Sequence, residues 1–379
     1  MISTRKLVVV ALGVAALMTA CTSDPTLPPK PDAPQQITTS VVYSHAGNGL
    51  PSSDVYAILA VSNGELWMGT FAGVARYPNA NADPNKAPAA PAAIIVNEVN
   101  GLPHPQVRSM AELSGKVYVG TWGGGLGVYD IAGNSWTQIR PAASGATNLT
   151  NGFISEVAAS PTESKLYLST NNGVFIYTPG SNSFTHFSTV DPDAPDFDVE
   201  RFQQTVSSLE VVDDAGLVSR WYGPRTDSRY ETSQAEFLGV LVSKSASTEF
   251  RYTTVNSGLV EPNVNDIYYD TVRQTYWVSY VSQGISEVNV ATKTWTSNTL
   301  VQGLPSNTVY SVTRAGDEHG GSTLWAATQN GLAKLVGDHW QAYGKSGGLP
   351  SDRVRRVYSD DGKRLWLGTI DAGAVKLKV

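Results

Sequence analysis

From Thr38 onward, apolar and polar positions alternate in runs of four to seven residues, and the runs are separated by Gly, Asn or Asp turns. Period-two alternation bounded by turn residues predicts half-buried β-strands, and no 3.6-residue period calls for a helix. The runs fall into sets of four. Strand a reads Val-x-x-Ile, Val or Met, as in Val55–Leu59, Val107–Met110 and Val309–Val312. Strand b carries an aromatic slot filled by Trp67, Tyr118, Tyr167, Trp277, Trp325 and Trp366. Strand c opens after Thr-x-x-Gly, at Gly73-Val74, Gly173-Val174 and Gly331-Leu332. Strand d often opens on an aromatic: Trp136, Phe184, Phe250, Trp295 or Trp340.

Seven such units can be counted, with starts near residues 49, 101, 151, 203, 258, 303 and 348. The cleanest copy is Gly303-Leu304-Pro305-Ser306 followed by Leu324-Trp325-Ala326-Ala327-Thr328, with near-twins at Gly348-Leu349-Pro350-Ser351 and Gly49-Leu50-Pro51-Ser52. The fourth unit is the most degenerate, with Trp221 in the aromatic slot and a polar insert at 224–238. A repeat of about fifty residues is of propeller-blade length. The chain stops after a strand c (Ala374–Val379), while an orphan strand d around Val41 precedes the first unit. Pairing these two ends would close a ring and cover its edges. The expected fold is therefore all-β: a seven-bladed propeller of four-stranded antiparallel blades over residues 37–379, its last blade completed by the N-terminal strand.

The N-terminus changes the setting. Arg5 and Lys6 precede an apolar run from Leu7 to Met18, then Thr19-Ala20-Cys21, where Cys21 is the only cysteine. A basic start, a short apolar core and small residues before a cut describe a secretory signal, too short to span a bilayer. Leu17-Met18-Thr19-Ala20-Cys21 resembles a bacterial lipobox, which implies removal of residues 1–20 and lipidation of Cys21. Residues 21–36 would form a flexible tether rich in Pro, Ser and Asp. The expected location is the cell envelope, lipid-anchored, with the outer membrane favoured over the inner. The whole chain has 27 basic and 33 acidic residues, and loss of Arg5 and Lys6 leaves it more acidic. Nucleic acid is a poor partner for such a surface.

The run Gly-Leu-Pro-Ser-x-x-Val followed by Leu-Trp-x-Gly-Thr-x-x-Gly-Leu resembles the two-component regulator propeller repeat. Units one, two, six and seven match well, three and five partly, and four barely. The resemblance implies a sensing or binding role, often for carbohydrate, outside the cytoplasm. This chain departs from the sensor kinases of that family in having one propeller and no linking sandwich domain, membrane helix or kinase. A free-standing binding lipoprotein, monomeric, is the corresponding expectation.

In a four-stranded blade the d–a and b–c loops share one face, so the Gly-Leu-Pro turns and the Thr-x-x-Gly loops should surround the channel together. Loops on a rigid scaffold are where binding residues concentrate. Eight of the nine tryptophans fill the packing slots of strands b and d, and Trp122 does not. It lies in Thr121-Trp122-Gly123-Gly124-Gly125, at a position held elsewhere by Phe71, Asn171, Val281, Gln329 and Ile370. Candidate ligand contacts are therefore Phe71, Trp122, Asn171, Asn172, Gln283, Gln329, Asn330 and Asp371 in these loops, Arg225 beside the unit-four insert, and His104 with Arg353 near the inner strands. Arg108, Arg353 and Arg355 near the inner strands, with His104, could together give a patch for anions on an otherwise acidic protein. Local structure offers a competing account: the amides can satisfy loop backbone, and these arginines can pair with Asp54, Asp266 and Asp352.

No catalytic constellation is apparent. The histidines His45, His104, His186, His319 and His339 form no metal-ligand pair at short spacing. No nucleophile elbow or phosphate-binding fingerprint occurs, and the acidic loop from Asp191 to Glu200 lacks the EF-hand order. The expectation is a non-enzymatic module with no cofactor and no metal, whose partner is a small molecule, glycan, peptide or envelope protein. The alternatives are an envelope assembly scaffold, and a hydrolase or lyase built on His104 with Asp352 or Asp54.

Overall fold

The computed structural model describes residues 36–78, 93–145, 147–187, 205–214, 217–225, 239–244, 248–316, 321–359 and 364–377. Its strands form seven four-stranded sheets, in each of which every strand pairs antiparallel with its neighbour. Blade 1 consists of Val55–Ala60, Leu66–Thr70, Gly73–Tyr77 and Ile94–Val96. Blade 2 consists of Val107–Leu113, Lys116–Thr121, Gly125–Asp130 and Ser135–Ile139. Blades 3 to 6 continue in the same order, with strands a at Ile154–Ser160, Thr205–Asp214, Val264–Asp270 and Val309–Gly316. Blade 7 joins Val354–Tyr358, Leu365–Thr369 and Ala374–Leu377 to the N-terminal strand Thr39–Tyr43, with Val42 opposite Val375 and Tyr43 opposite Ala374. Blade 7 meets blade 1: the Gly373 N–H donates to the Ser53 carbonyl at 2.9 Å, and the Tyr358 hydroxyl accepts from the Ala60 N–H at 3.0 Å.

The repeat motif records how blades stack. In Leu-Trp-x-Gly-Thr the glycine faces the next blade's strand a. A Cβ on Gly69 would lie 2.5 Å from Val107, one on Gly120 2.8 Å from Ile154, and one on Gly223 2.7 Å from Val264. The other blades keep small residues there, such as Ser169, Ser279 and Ala327, all buried. The Thr of Thr-x-x-Gly ties its loop: Thr70, Thr121, Thr170, Thr328 and Thr369 donate through Oγ1 to the carbonyl of the loop's last glycine. Leu50, Leu102, Leu259, Leu304 and Leu349 of the d–a turns are buried anchors.

Short helical turns punctuate three of the d–a connections of this all-β fold. A single helical turn, His45–Asn48, capped by the Ser44 side chain, precedes Gly49, and 3-10 turns Leu300–Gln302 and Lys345–Gly347 precede Gly303 and Gly348. Each ends on a glycine in the left-handed region, with φ of 75°, 95° and 108°. Here glycine is used because a Cβ would be strained. One turn is too short to leave a helical period in the sequence. Strand a is also irregular: in all seven blades its register against strand b slips near the strand's start, as between Val55 and Ala57, Val206 and Ser208, or Val354 and Arg356. This bulge bends the start of every inner strand.

The signal and lipobox region with Cys21, nearly all of the tether, the acidic loop and residues 226–238 of the insert lie outside the described residues.

Candidate functional site

The bulge places two rows of side chains around the inner strands. The first row, at the residue that the bulge skips in each strand a, is Tyr56, Arg108, Ser155, Ser207, Asn265, Tyr310 and Arg355, all partly exposed at the Gly-Leu-Pro end. The second, one residue deeper, is Ala57, Ser109, Glu156, Ser208, Asp266, Ser311 and Arg356. The deeper row belongs to the ring. Ser109 Oγ accepts from the Val157 N–H of the next blade at 3.1 Å, Glu156 from Leu209 at 2.7 Å, and Ser208 from Ile267 at 2.9 Å. Asp266 accepts from Val312 at 2.9 Å and Ser311 from Val357 at 2.8 Å. Five of the seven blades thus cap an inner-edge N–H of the next blade, which an edge strand would otherwise leave open.

Two breaks interrupt that row, Ala57 and Arg356, neither of which can accept. The Arg356 guanidinium instead stands 3.8 Å from an Asp266 oxygen and is the cation facing three acids, Glu156, Glu210 and Asp266. Burial raises all three carboxyls above their ordinary range, Glu210 to about 8, while the Arg356 charge pulls them back. Glu210 also accepts from the Tyr269 N–H at 3.0 Å. A carboxylate cluster near the channel was the feature an enzymatic reading required. Its oxygens are committed to backbone N–H groups of neighbouring blades. Among the described residues no group of three or more His, Cys, Asp or Glu is arranged to hold a metal ion.

The mouth row is different. Arg108 lies over the Tyr56 ring at 4.2 Å and the Trp122 ring at 5.0 Å, and Arg355 lies over Tyr56 at 4.2 Å and Tyr310 at 5.8 Å. Arginine and aromatic side chains therefore run across blades 2, 1, 7 and 6. Trp122 meets Phe153 edge-on at 5.4 Å, and Phe153 and Phe71 remain 41% and 47% exposed. The Trp122 loop is held on both sides: the Trp122 N–H donates to the Gln106 carbonyl at 2.9 Å and the Gly123 N–H to the Gly152 carbonyl of blade 3 at 2.8 Å. His104 packs on this loop, since a Cβ on Gly124 would fall 2.7 Å from the His104 Cβ.

The other candidates divide. Asn171 receives the Asn151 amide at 2.6 Å, Asn330 donates to the Pro305 carbonyl at 3.4 Å, and Asp371 accepts from the Ser351 hydroxyl. These side chains serve local loop structure. Asn172 Oδ1 is buried without a hydrogen-bond partner. Gln283, Gln329 and Arg353 are exposed. Arg225 ends strand b of blade 4. His104 Nδ1 accepts from the Gln106 N–H at 3.2 Å, whereas Asp54 pairs with Arg355 at 2.9 Å and Asp352 accepts the Lys345 N–H, so neither acid is committed to His104. Tyr56, Tyr310 and Phe153 escaped sequence reasoning. Aligning the second residue of every strand a would have exposed the first two. The packing assigned to eight tryptophans holds: Trp67, Trp221, Trp277, Trp325, Trp340 and Trp366 are buried, and Trp136 and Trp295 are partly buried against the same clusters.

The two component regulator propeller family model matches residues 49–72, which run from the first Gly-Leu-Pro turn through the Thr-x-x-Gly loop of blade 1. No curated protein matches the sequence. Among solved structures, the fold is similar to the extracellular domain of a putative hybrid two component system from B. thetaiotaomicron, at 17% identity and TM-score 0.65 over 91% of this chain and 42% of that one. It is also similar to YCF48 bound to D1 peptide, at 11% identity and TM-score 0.61 over 91% of this chain and 97% of the other. PorZ, a surface component of the type-IX secretion system of Porphyromonas gingivalis, aligns at 15% identity and TM-score 0.58 over 86% of this chain and 47% of its own. The chain thus spans less than half of two of these structures, and identities this low speak to fold alone. No described helix is long and apolar enough to cross a membrane. This chain is a β-propeller carrying a two component regulator propeller repeat, similar in fold to propellers found in extracellular domains.

Proposed function

We propose that this protein is a lipid-anchored, extracytoplasmic propeller that binds a small polar ligand, carbohydrate or peptide, at its Gly-Leu-Pro mouth without altering it. The observation that carries the reading is the cluster of Phe71, Trp122, Phe153, Tyr56 and Arg108 on blades 1 to 3. Ring closure does not need these side chains, and two of the phenylalanine rings are left to solvent. Aromatic rings beside a cation on a rigid, twice-anchored loop suit a ligand with a flat or ring-shaped face and polar edges. The deeper carboxylates support a non-catalytic role, because their oxygens accept ring-stabilising N–H groups. The lipobox at Leu17–Cys21 supports anchoring outside the cytoplasm.

Binding is tested by titrating the purified protein against a panel of oligosaccharides and short peptides. A member that binds saturably should lose its affinity in the Phe71→Ala, Trp122→Ala double variant, while circular dichroism stays unchanged. Binding that survives the double variant would remove the assignment of the site. Anchoring is read separately: radiolabelled palmitate should enter the wild type and not Cys21→Ala, and equal labelling of both would refute it.

A further inference from the structure

Resting on that binding reading, we propose that the mouth selects a ligand carrying a carboxylate, held by the guanidinium of Arg108 while the group bearing it packs against the neighbouring aromatic rings. Three other polar members of the mouth row are already occupied. Asn265 donates to the carbonyls of Tyr280 and Val309 at 3.1 and 2.9 Å, Ser207 donates to Val264 and Gly223, and Arg355 pairs with Asp54 at 2.9 Å. Among the described residues Arg108 makes no ion pair, and the nearby Asp54 is taken by Arg355, although the chain as a whole is acidic. Its Nε is shut off from solvent and has no hydrogen-bond partner, so the terminal nitrogens are what the guanidinium can present to a ligand. Its Cζ lies over the Tyr56 and Trp122 rings, which holds the partly exposed cation beside the aromatic surface of the mouth.

Burial, with the Arg355 charge adding to it, pulls the Arg108 guanidinium below its ordinary proton affinity. A bound anion opposes the Arg355 charge and favours the charged guanidinium. A carboxylate matches the fork in two parallel hydrogen bonds, a geometry that a single charged point does not exploit. Phe71, in the loop of blade 1 that corresponds to the Trp122 loop, and Phe153, against Trp122, provide exposed apolar surface for the attached ring or residue. Two sources supply such a group: a uronic acid in a saccharide, and the C-terminal carboxylate of a short peptide.

The test uses the full mature chain in detergent and calorimetric titration with matched pairs. These are a galacturonic acid trisaccharide and its methyl ester, and an N-acetylated Ala-Phe dipeptide as free acid and as amide, with inorganic sulfate as competitor. One free acid should bind about 30-fold or more tighter than its neutral form, and which pair shows the gap identifies the source. Arg108→Gln should erase the gap, and Arg108→Lys should retain roughly a tenth of it. Lys293→Gln, exposed in the c–d turn of blade 5 on the opposite face, should leave it intact. Should Arg108→Gln fail to fold, the acid-to-neutral contrast in the wild type and the Arg108→Lys variant decide the matter. Acids and neutral forms binding alike, or a folded Arg108→Gln that keeps the gap, would overturn the proposal while leaving the binding reading in place. Sulfate competing as well as the acid would overturn the assignment of a planar carboxylate. Failure of every probe, charged and neutral, would overturn both readings.

Discussion

The inner strands carry two neighbouring rows, Tyr56 to Arg355 at the mouth and Ala57 to Arg356 one residue deeper, and only the deeper row repeats one kind of bond, an acceptor for the next blade's N–H, around most of the ring. Five of its seven members accept an N–H from the following blade. Any acceptor meets that need, which is why serine, glutamate and aspartate interchange along it. At the mouth Ser207, Asn265 and Arg355 reach the following blade by different bonds, and Tyr56, Arg108 and Tyr310 make no such bond. The row's members range from serine to arginine, and those on blades 6, 7, 1 and 2 stack on one another rather than on the frame. A position that varies because several residues suit it equally differs from one that varies because the fold asks nothing of it. The second kind is where recognition has room to reside.

The comparison breaks most visibly at Arg356. Arg356→Met leaves Glu156, Glu210 and Asp266 facing one another without a cation, and should cost about 3 kcal/mol at pH 8. Urea unfolding should find the loss much smaller at pH 5, where the acids take up protons. A pH-independent loss would mean that Arg356 matters only for packing.

Next in size is the effect of pH itself. Glu210 holds its proton more tightly folded than unfolded, up to about 8. Between the ordinary carboxylate range and pH 8 the folded state therefore binds more protons, and stability falls as pH rises. Glu210→Gln keeps an acceptor for the Tyr269 N–H and removes the titration. It should be more stable than the wild type at pH 8, by roughly 2 kcal/mol, with little difference near pH 4.5. Parallel stability curves for the two proteins would place the Glu210 charge in solvent.

Smaller again is the removal of single caps. Ser208→Ala and Ser311→Ala each leave a buried N–H of the next blade without its acceptor, and each should cost about 1 kcal/mol or slightly more in chemical denaturation. The smallest effects belong to the mouth. Tyr310→Phe and Arg353→Gln should stay within about 0.5 kcal/mol of wild type. A mouth variant as costly as a cap variant would erase the distinction between the rows.

Much of the frame was legible because packing imposes it on particular letters. The glycine of Leu-Trp-x-Gly-Thr is written where a Cβ would strike the next blade, and the threonine after it is written because its hydroxyl closes the loop. The strand at Thr39–Tyr43 could be located by its offset from Gly49, which repeats the spacing of Trp295 from Gly303 and Trp340 from Gly348. The short turns before Gly49, Gly303 and Gly348 were not legible, being too brief to show a period. Trp122 stood out because it broke a column. Arg108 and Arg355 stood out as cations near the inner strands, whereas Tyr56 and Tyr310 did not, and only the bulge and the ring bring the four side by side. Asp266 was read as a partner for surface arginines. Its main contact is the Val312 N–H of another blade, and no spacing along the chain could reveal that.

Hydrogen exchange with and without the tightest-binding saccharide or peptide tests the mouth most directly. Protection should rise in the loops at 71–73, 104–108, 122–125 and 151–153 and leave the a–b turns on the opposite face, such as Asn63-Gly64 and Ser114-Gly115, unchanged. Protection confined to those opposite turns, with none at the mouth, would contradict the account.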